Sequence, residues 1–228
     1  MDRFKSNDPD RTLFEQGLRE RGKRQRRGRL REAARKVFLE RGYEGATTRE
    51  IAARAEVAIG TLFAYATEKR DLLFLVLNDD LDAIVDSTIE KLTPQQPVID
   101  QLLSIFRPIY KYFERNVVIG RYGIHEIFLL LDEQPEMLGP EAKRVAERRE
   151  RIRHALAKII DRSKKADRLS TRERGDAIAQ MLLWLHWCNV QSWLSAKSPK
   201  AEAGLKGLRR LFLTVINGLG PKAGDARR

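Results

Sequence analysis

A single cysteine, Cys188, excludes any disulfide within the chain. The three histidines, His125, His154 and His186, stand far apart, and no Cys/His cluster has the spacing of a metal site. There is no glycine-rich phosphate loop, and no Ser/His/Asp set stands out. Carboxylates such as Glu147 and Glu150 read as i,i+4 helix partners of Arg151 and His154. These absences point away from an enzyme, a metal or a cofactor. Long apolar runs are also missing: "LLFLVL" (72–77) is far short of a membrane span. "MDRFKSNDPDRTLF" at the N-terminus lacks the apolar core of a signal peptide. A cytoplasmic location and no membrane association are therefore expected. No segment alternates with a period of two and no internal repeat appears, which excludes a sheet protein and a solenoid.

Positive charge, in contrast, is abundant. The formal net charge is +12, which favours a polyanionic partner. The excess peaks in residues 19–36, "RERGKRQRRGRLREAARK", with ten basic and two acidic side chains. Nucleic acid suits this run better than a membrane surface, because residues 19–29 contain few apolar side chains for an interfacial helix.

Four domains or segments are expected. Residues 1–24 lack a hydrophobic period and read as a flexible basic arm. Residues 25–70 form a small helical unit, and 71–220 a larger helical one. Residues 221–228 read as a disordered tail. From Leu30 a helical period runs through Ala33, Ala34, Val37 and Phe38 to a stop at "RGY" (41–43), where Gly42 suits the left-handed position. Tyr43 folds back as a plug. Thr47 and Glu50 make a capping box for a short helix over about 48–55. "EVA" (56–58) turns the chain into a second short helix, about 59–65, and a longer helix starts near Lys69. Further helices are predicted at about 98–115, 118–131, 140–163, 171–195 and 202–218, with a kink or break at Pro108. The chain thus reads as all-α, with about nine helices.

Two short helices joined by a tight turn and braced by a third are the parts of a helix-turn-helix. Ile51, Ala52, Ala55, Val57 and Leu62 have the spacing of a small shared core. The second helix then offers Ile59, Gly60 and Thr61 to a major groove, with Gly60 leaving room for a base edge or phosphate. Thr47 and Thr48 open the first short helix, where free N–H groups favour an anion. Tyr65 and Lys69 follow as clamps on the DNA backbone.

The stretch "VFLERGYEGATTREIAARAEVAIGTLFAYATEKRDLLFLVL" (37–77) closely resembles the N-terminal DNA-binding segment of TetR-family transcriptional regulators. The shared pattern is Phe38, Gly42–Tyr43, Thr47–Thr48, Ile51–Ala52, Ala55 with Val57, Gly60–Thr61–Leu62, Tyr65, Lys69 and Asp71–Leu72. The resemblance implies phosphate and base contacts from Thr48 and Arg49, a recognition role for Thr61, and backbone clamping by Tyr65 and Lys69. Three positions depart from the pattern: Ala58 replaces a polar residue, Phe63 a tyrosine and Ala66 a large aromatic. The first two changes remove hydroxyls that reach phosphate, so other groups must supply those contacts. Arg24, Arg26, Arg27 and Arg29 are expected to do so along the backbone or in the adjoining minor groove.

In the larger unit, "AIAQMLLWLHWCNVQSWL" (177–194) is apolar nearly all round. Ile178, Met181, Leu182, Leu185 and Cys188 lie on one side. The last helix carries Leu205, Leu208, Phe212, Val215 and Leu219. By the resemblance, these two helices form a four-helix homodimer interface with their copies. The resemblance also implies a small-molecule effector inside this bundle. Phe106, Tyr110, Tyr122, Phe128, Trp184 and Trp187 would line its site, with His125 as a polar handle. An apolar or aromatic effector is expected.

Double-stranded DNA is thus the expected partner. The expected function is a transcriptional regulator, a repressor released from a near-palindromic operator by its ligand. The alternative is an architectural DNA binder that ignores sequence and has no effector.

Overall fold

The computed structural model describes residues 9–130 and 133–218. Among them it has nine α-helices and no strand. In chain order these are α1 (Pro9–Gly45), α2 (Thr48–Arg54), α3 (Ile59–Phe63), α4 (Lys69–Glu90), α5 (Val98–Arg115), α6 (Val117–Leu129), α7 (Pro140–Lys165), α8 (Gly175–Leu194) and α9 (Ala201–Asn217). The chain divides into two compact units, and the division falls within α4, after Val76. The expected disordered tail, 221–228, lies outside the described residues, as do the first eight residues of the expected arm and Leu219.

The N-terminal unit corrects one expectation. Residues 9–24, read as a flexible arm, belong to α1. Pro9 occupies the first position, where its missing N–H costs nothing, and the following turns are rich in Leu, Arg, Glu and Gln. A hydrophobic period reports burial rather than helicity, so a helix polar on every side escapes it. Further on, Leu30, Ala33, Ala34, Val37 and Phe38 are buried. Gly42 breaks the helix at φ 72°, and Tyr43 turns back to within 5.7 Å of the Phe38 ring. Ile51 and Ala52 of α2, Ala55, and Leu62 of α3 complete the small core.

The turn between α2 and α3 is a Schellman motif. The N–H of Val57 donates to the carbonyl of Ala52, and that of Glu56 to Ala53. Glu56 sits at φ 53°, a position that favours glycine. Its carboxylate takes a 3.4 Å contact from Arg29.

The second unit is a helical bundle. Helix α5 packs on α7 and α9, and α8 on α6, α7 and α9. Pro108 does not break α5, which runs continuously from Val98 to Arg115. Gly204 lets α9 approach α5 closely: a Cβ there would lie 2.6 Å from the Tyr110 ring and 2.9 Å from Trp193. Between α4 and α7 lies a polar layer in which Asp82 accepts from Arg144, Arg148 and Arg151. Arg148 is buried and also donates to Asn78 Oδ1 at 2.9 Å. Those bonds offset the desolvation of its charge.

Several of the expected effector-lining residues pack against one another in the core. Phe106 and Tyr110 are fully buried and pack ring against ring with His186, Trp193 and Phe212 at centroid distances of 4.3–5.7 Å. Trp187 joins them through His186. Tyr122 and Phe128 are half-buried on α6, while His125 and Trp184 are exposed. Aromatic spacing cannot tell packing from pocket, and here Phe106, Tyr110 and Trp187 belong to packing.

His186 is the polar exception in this core. It is buried, and its Nδ1 has no hydrogen-bond partner among the described residues. Burial pushes its imidazole down from 6.5 to about 3. The unfolded chain therefore binds one more proton than the folded chain between these values, and stability falls as pH drops below about 6.5. The loss should be about 2 kcal/mol at pH 5 relative to neutral pH. Thermal unfolding of the parent and of His186→Phe at pH 7 and pH 5 checks this. The variant should lose the part of the acid sensitivity that the imidazole causes, and an unchanged pH dependence would contradict the assignment.

Candidate DNA interface

The recognition element is built on very little. Helix α3 has five residues, and Leu62 is its only buried one. Its N-cap, Ala58, offers no side-chain hydrogen bond. Position and angle come from neighbours: Leu62 enters the core made by α1 and α2, and the Schellman turn fixes the entry of the chain. Helix α2 is capped as its sequence suggests, with the Glu50 N–H donating to Thr47 Oγ1 at 3.1 Å. Thr48 is half-buried and Arg49 exposed at the same end.

Tyr65 and Lys69 are both placed beside α3, but each is tied to its own chain. The Tyr65 hydroxyl donates to the carbonyl of Lys23 at 3.3 Å and accepts from Arg26 Nε at 3.4 Å. This residue pins the turn after α3 to the basic stretch of α1. The Lys69 ammonium donates to the Glu44 carbonyl at 3.3 Å and stands 4.7 Å from the Tyr43 ring centroid. It closes the corner after α1.

Between α1 and α3 runs an open groove of about 670 Å³, lined by Arg19, Glu20, Lys23 and Arg26 on one side and by Gly60, Thr61, Ala64 and Tyr65 on the other. The geometry thus brings Arg26, Gly60, Thr61 and Tyr65 together. Arg27 and Arg29 lie on the same helix but outside this lining, and Arg29 pairs with Glu56. Thr47, Thr48 and Arg49 sit at the start of α2. Sequence reading missed Arg19 and Lys23, because it treated their segment as an arm without a fixed face. Helical spacing of 19, 23 and 26 was the available signal.

Electrostatically the groove presents a row of cations beside a helix that carries no charged side chain of its own. Phosphate contacts position a protein on a duplex, and cations on a rigid helix are suited to that task, with α3 exposed beside them. Replacing Arg19, Lys23 and Arg26 together by glutamine keeps helix propensity and removes three charges. In a plot of log affinity against log salt, the slope should become shallower by about 0.9 for each phosphate that these side chains no longer neutralise. An unchanged slope would remove α1 from the interface.

Known proteins agree with this geometry. Residues 30–76 match the model of the bacterial regulatory proteins of the tetR family. The transcriptional repressor KstR of Rhodococcus jostii RHA1 is 26% identical over 212 residues, which span 90% of this chain and 87% of KstR. The regulator HbdR of Aromatoleum sp. strain CIB is 39% identical over 72 residues, covering 32% of this chain and 29% of HbdR. The fold matches the repressor FadR of Thermus thermophilus, solved with lauroyl-CoA, at a TM-score of 0.61 and 21% identity over 86% of this chain and 98% of FadR. It also matches FadR of Bacillus subtilis, solved with stearoyl-CoA, at 0.63 and 16% identity over 84% and 98%. With its helix-turn-helix and basic first helix, residues 30–76 match the DNA-binding segment of the tetR family, and the chain is a DNA-binding transcriptional regulator.

Proposed function

We propose that the chain is a cytoplasmic, homodimeric repressor that leaves a near-palindromic operator when a long-chain acyl-CoA binds its second unit. The observation that carries the DNA side is the exposed α3 set against the cations of α1. A single reading head of this size contacts few base pairs, so two heads about 34 Å apart, or a multiple of that, are needed for a specific site.

The dimer contact falls on one face of α8. Met181 and Trp184 are 44% and 42% exposed, and exposed Cys188 continues the stripe one turn later. Ile178 and Leu185 border it, and Val215 on α9 is half-buried. Four residues expected on this surface are not exposed in the single chain. Leu182, Leu205, Leu208 and Phe212 are buried in the chain's own core. Their spacing identified an apolar face but not the body that covers it. Apolar side chains that stay this exposed among the described residues suit a second copy of the same helix. Trp184→Glu should therefore give a monomer in sedimentation velocity where the parent is a dimer, with helicity retained. A dimer that survives this change would move the interface elsewhere.

The effector class is supported by the fold shared with two regulators solved with an acyl-CoA. Release requires the effector to favour the non-binding state of the dimer; a differential affinity of about 1–3 kcal/mol is typical of such coupling. Adding lauroyl-CoA or stearoyl-CoA to a preformed DNA complex should release the protein in a fluorescence-anisotropy titration, while free CoA should not. Retention of the complex at all acyl lengths would reject this effector class.

A further inference from the structure

Two of the large exposed apolar side chains of the first unit lie on its smallest helix. Ile59 is 41% and Phe63 47% exposed. They are four positions apart on α3, so they share one face, and Gly60 and Ala64 lie beside them. A Cβ on Gly60 would meet nothing within 4 Å, so no neighbour among the described residues requires glycine there. A glycine inside a helix nonetheless costs stability relative to alanine. Gly60 thus leaves α3 open toward the groove it shares with Arg19, Lys23 and Arg26, while Ile59 and Phe63 present an apolar face beside it.

Chemistry narrows what lies against this face. Helix α3 has no Arg, Lys, Asn, Gln, Asp or Glu, and its one hydroxyl, Thr61, is half-buried. It cannot make the two-pronged hydrogen bonds by which side chains recognise guanine or adenine. The one apolar group a duplex shows in its major groove is the C5-methyl of thymine. A second copy of this unit is disfavoured here, because Arg19, Lys23 and Arg26 line the groove on the neighbouring side of α3, with Gly60, Thr61 and Ala64, and would meet their like. A polyanion with apolar spots answers both the cations and the apolar face.

We infer that Ile59 and Phe63 read thymine methyl groups, so that each operator half-site carries thymines opposite α3 that are recognised by contact rather than by hydrogen bonds. The inference rests on the regulator reading above and names the specificity-determining residues of that same site. The aromatic ring of Phe63, which lacks a phenolic hydroxyl, is suited to a methyl and not to a phosphate.

The test starts from a duplex that the full-length protein selects from a random pool. Each thymine of a half-site is replaced in turn by uracil, which removes only the methyl. At one or two positions affinity should fall about 4-fold per methyl, the effect of exposing one such group. A 5-methylcytosine control reports whether methyls elsewhere matter. The uracil penalty should shrink below about 1.5-fold in Ile59→Ala or Phe63→Ala, while the salt slope stays unchanged. Uracil substitution without effect at every position overturns the inference and leaves the regulator reading intact. A penalty that persists in both variants also overturns it, because the methyl is then read by another residue. Loss of self-association in place of loss of base preference would assign the face to a protein contact and overturn it too. Selection of no duplex would defeat the regulator reading itself. The uracil series on the unsubstituted chain remains decisive if a variant fails to fold.

Discussion

One and a half turns of helix cannot hold their own shape in water, since nucleating a helix costs more than so few hydrogen bonds return. The reading element of this protein is that short. Its geometry therefore depends on its one buried side chain, Leu62, and on the packing of α3 against α2, in a unit that also buries Phe38, Ile51, Ala52 and Ala55. Alanine at 52 and 55 lets α2 and α3 come close, and the Schellman turn at Glu56 sets the angle between them. The same arrangement leaves Ile59, Gly60 and Phe63 outside. Recognition in this unit follows from what the core cannot cover.

Tyr65 links that core to the charge of the protein. Its hydroxyl joins the turn after α3 to the backbone of Lys23 and to the side chain of Arg26. The basic segment is consequently a helix with a fixed face rather than a loose polycation. A fixed helix adds less ordering cost on binding than a flexible arm. It is also too wide to thread a minor groove of about 6 Å as an extended arm does. Contact along the phosphates is the mode that fits.

Much of this was legible in the sequence, and for identifiable reasons. Thr47 with Glu50, Gly42 before Tyr43, and the apolar spacing from Leu30 to Phe38 are local signals, and each appears in the structure where local chemistry puts it. What could not be read depended on which neighbour covers a given face. Leu208 and Phe212 share a stripe with Val215, yet the first two are buried within the chain and the third is not. Phe106 and Tyr110 pack against His186 instead of lining a space. The helix from Pro9 to Arg29 escaped notice because its sequence has no hydrophobic period, and none of residues 17–29 is buried. Tyr65 was recognised by position, but its bonds to Lys23 and Arg26 join residues 42 and 39 positions apart and leave no local trace.

The central claim is that α3 is held against the major groove of two half-sites. An iron chelate tethered at Ala64→Cys, with Cys188→Ser to keep the label unique, reports this directly. On bound DNA it should cut in two clusters related by a two-fold axis, about 34 Å apart or a multiple of it. Cutting spread evenly along the duplex, or none above that of the free chelate, would contradict the account.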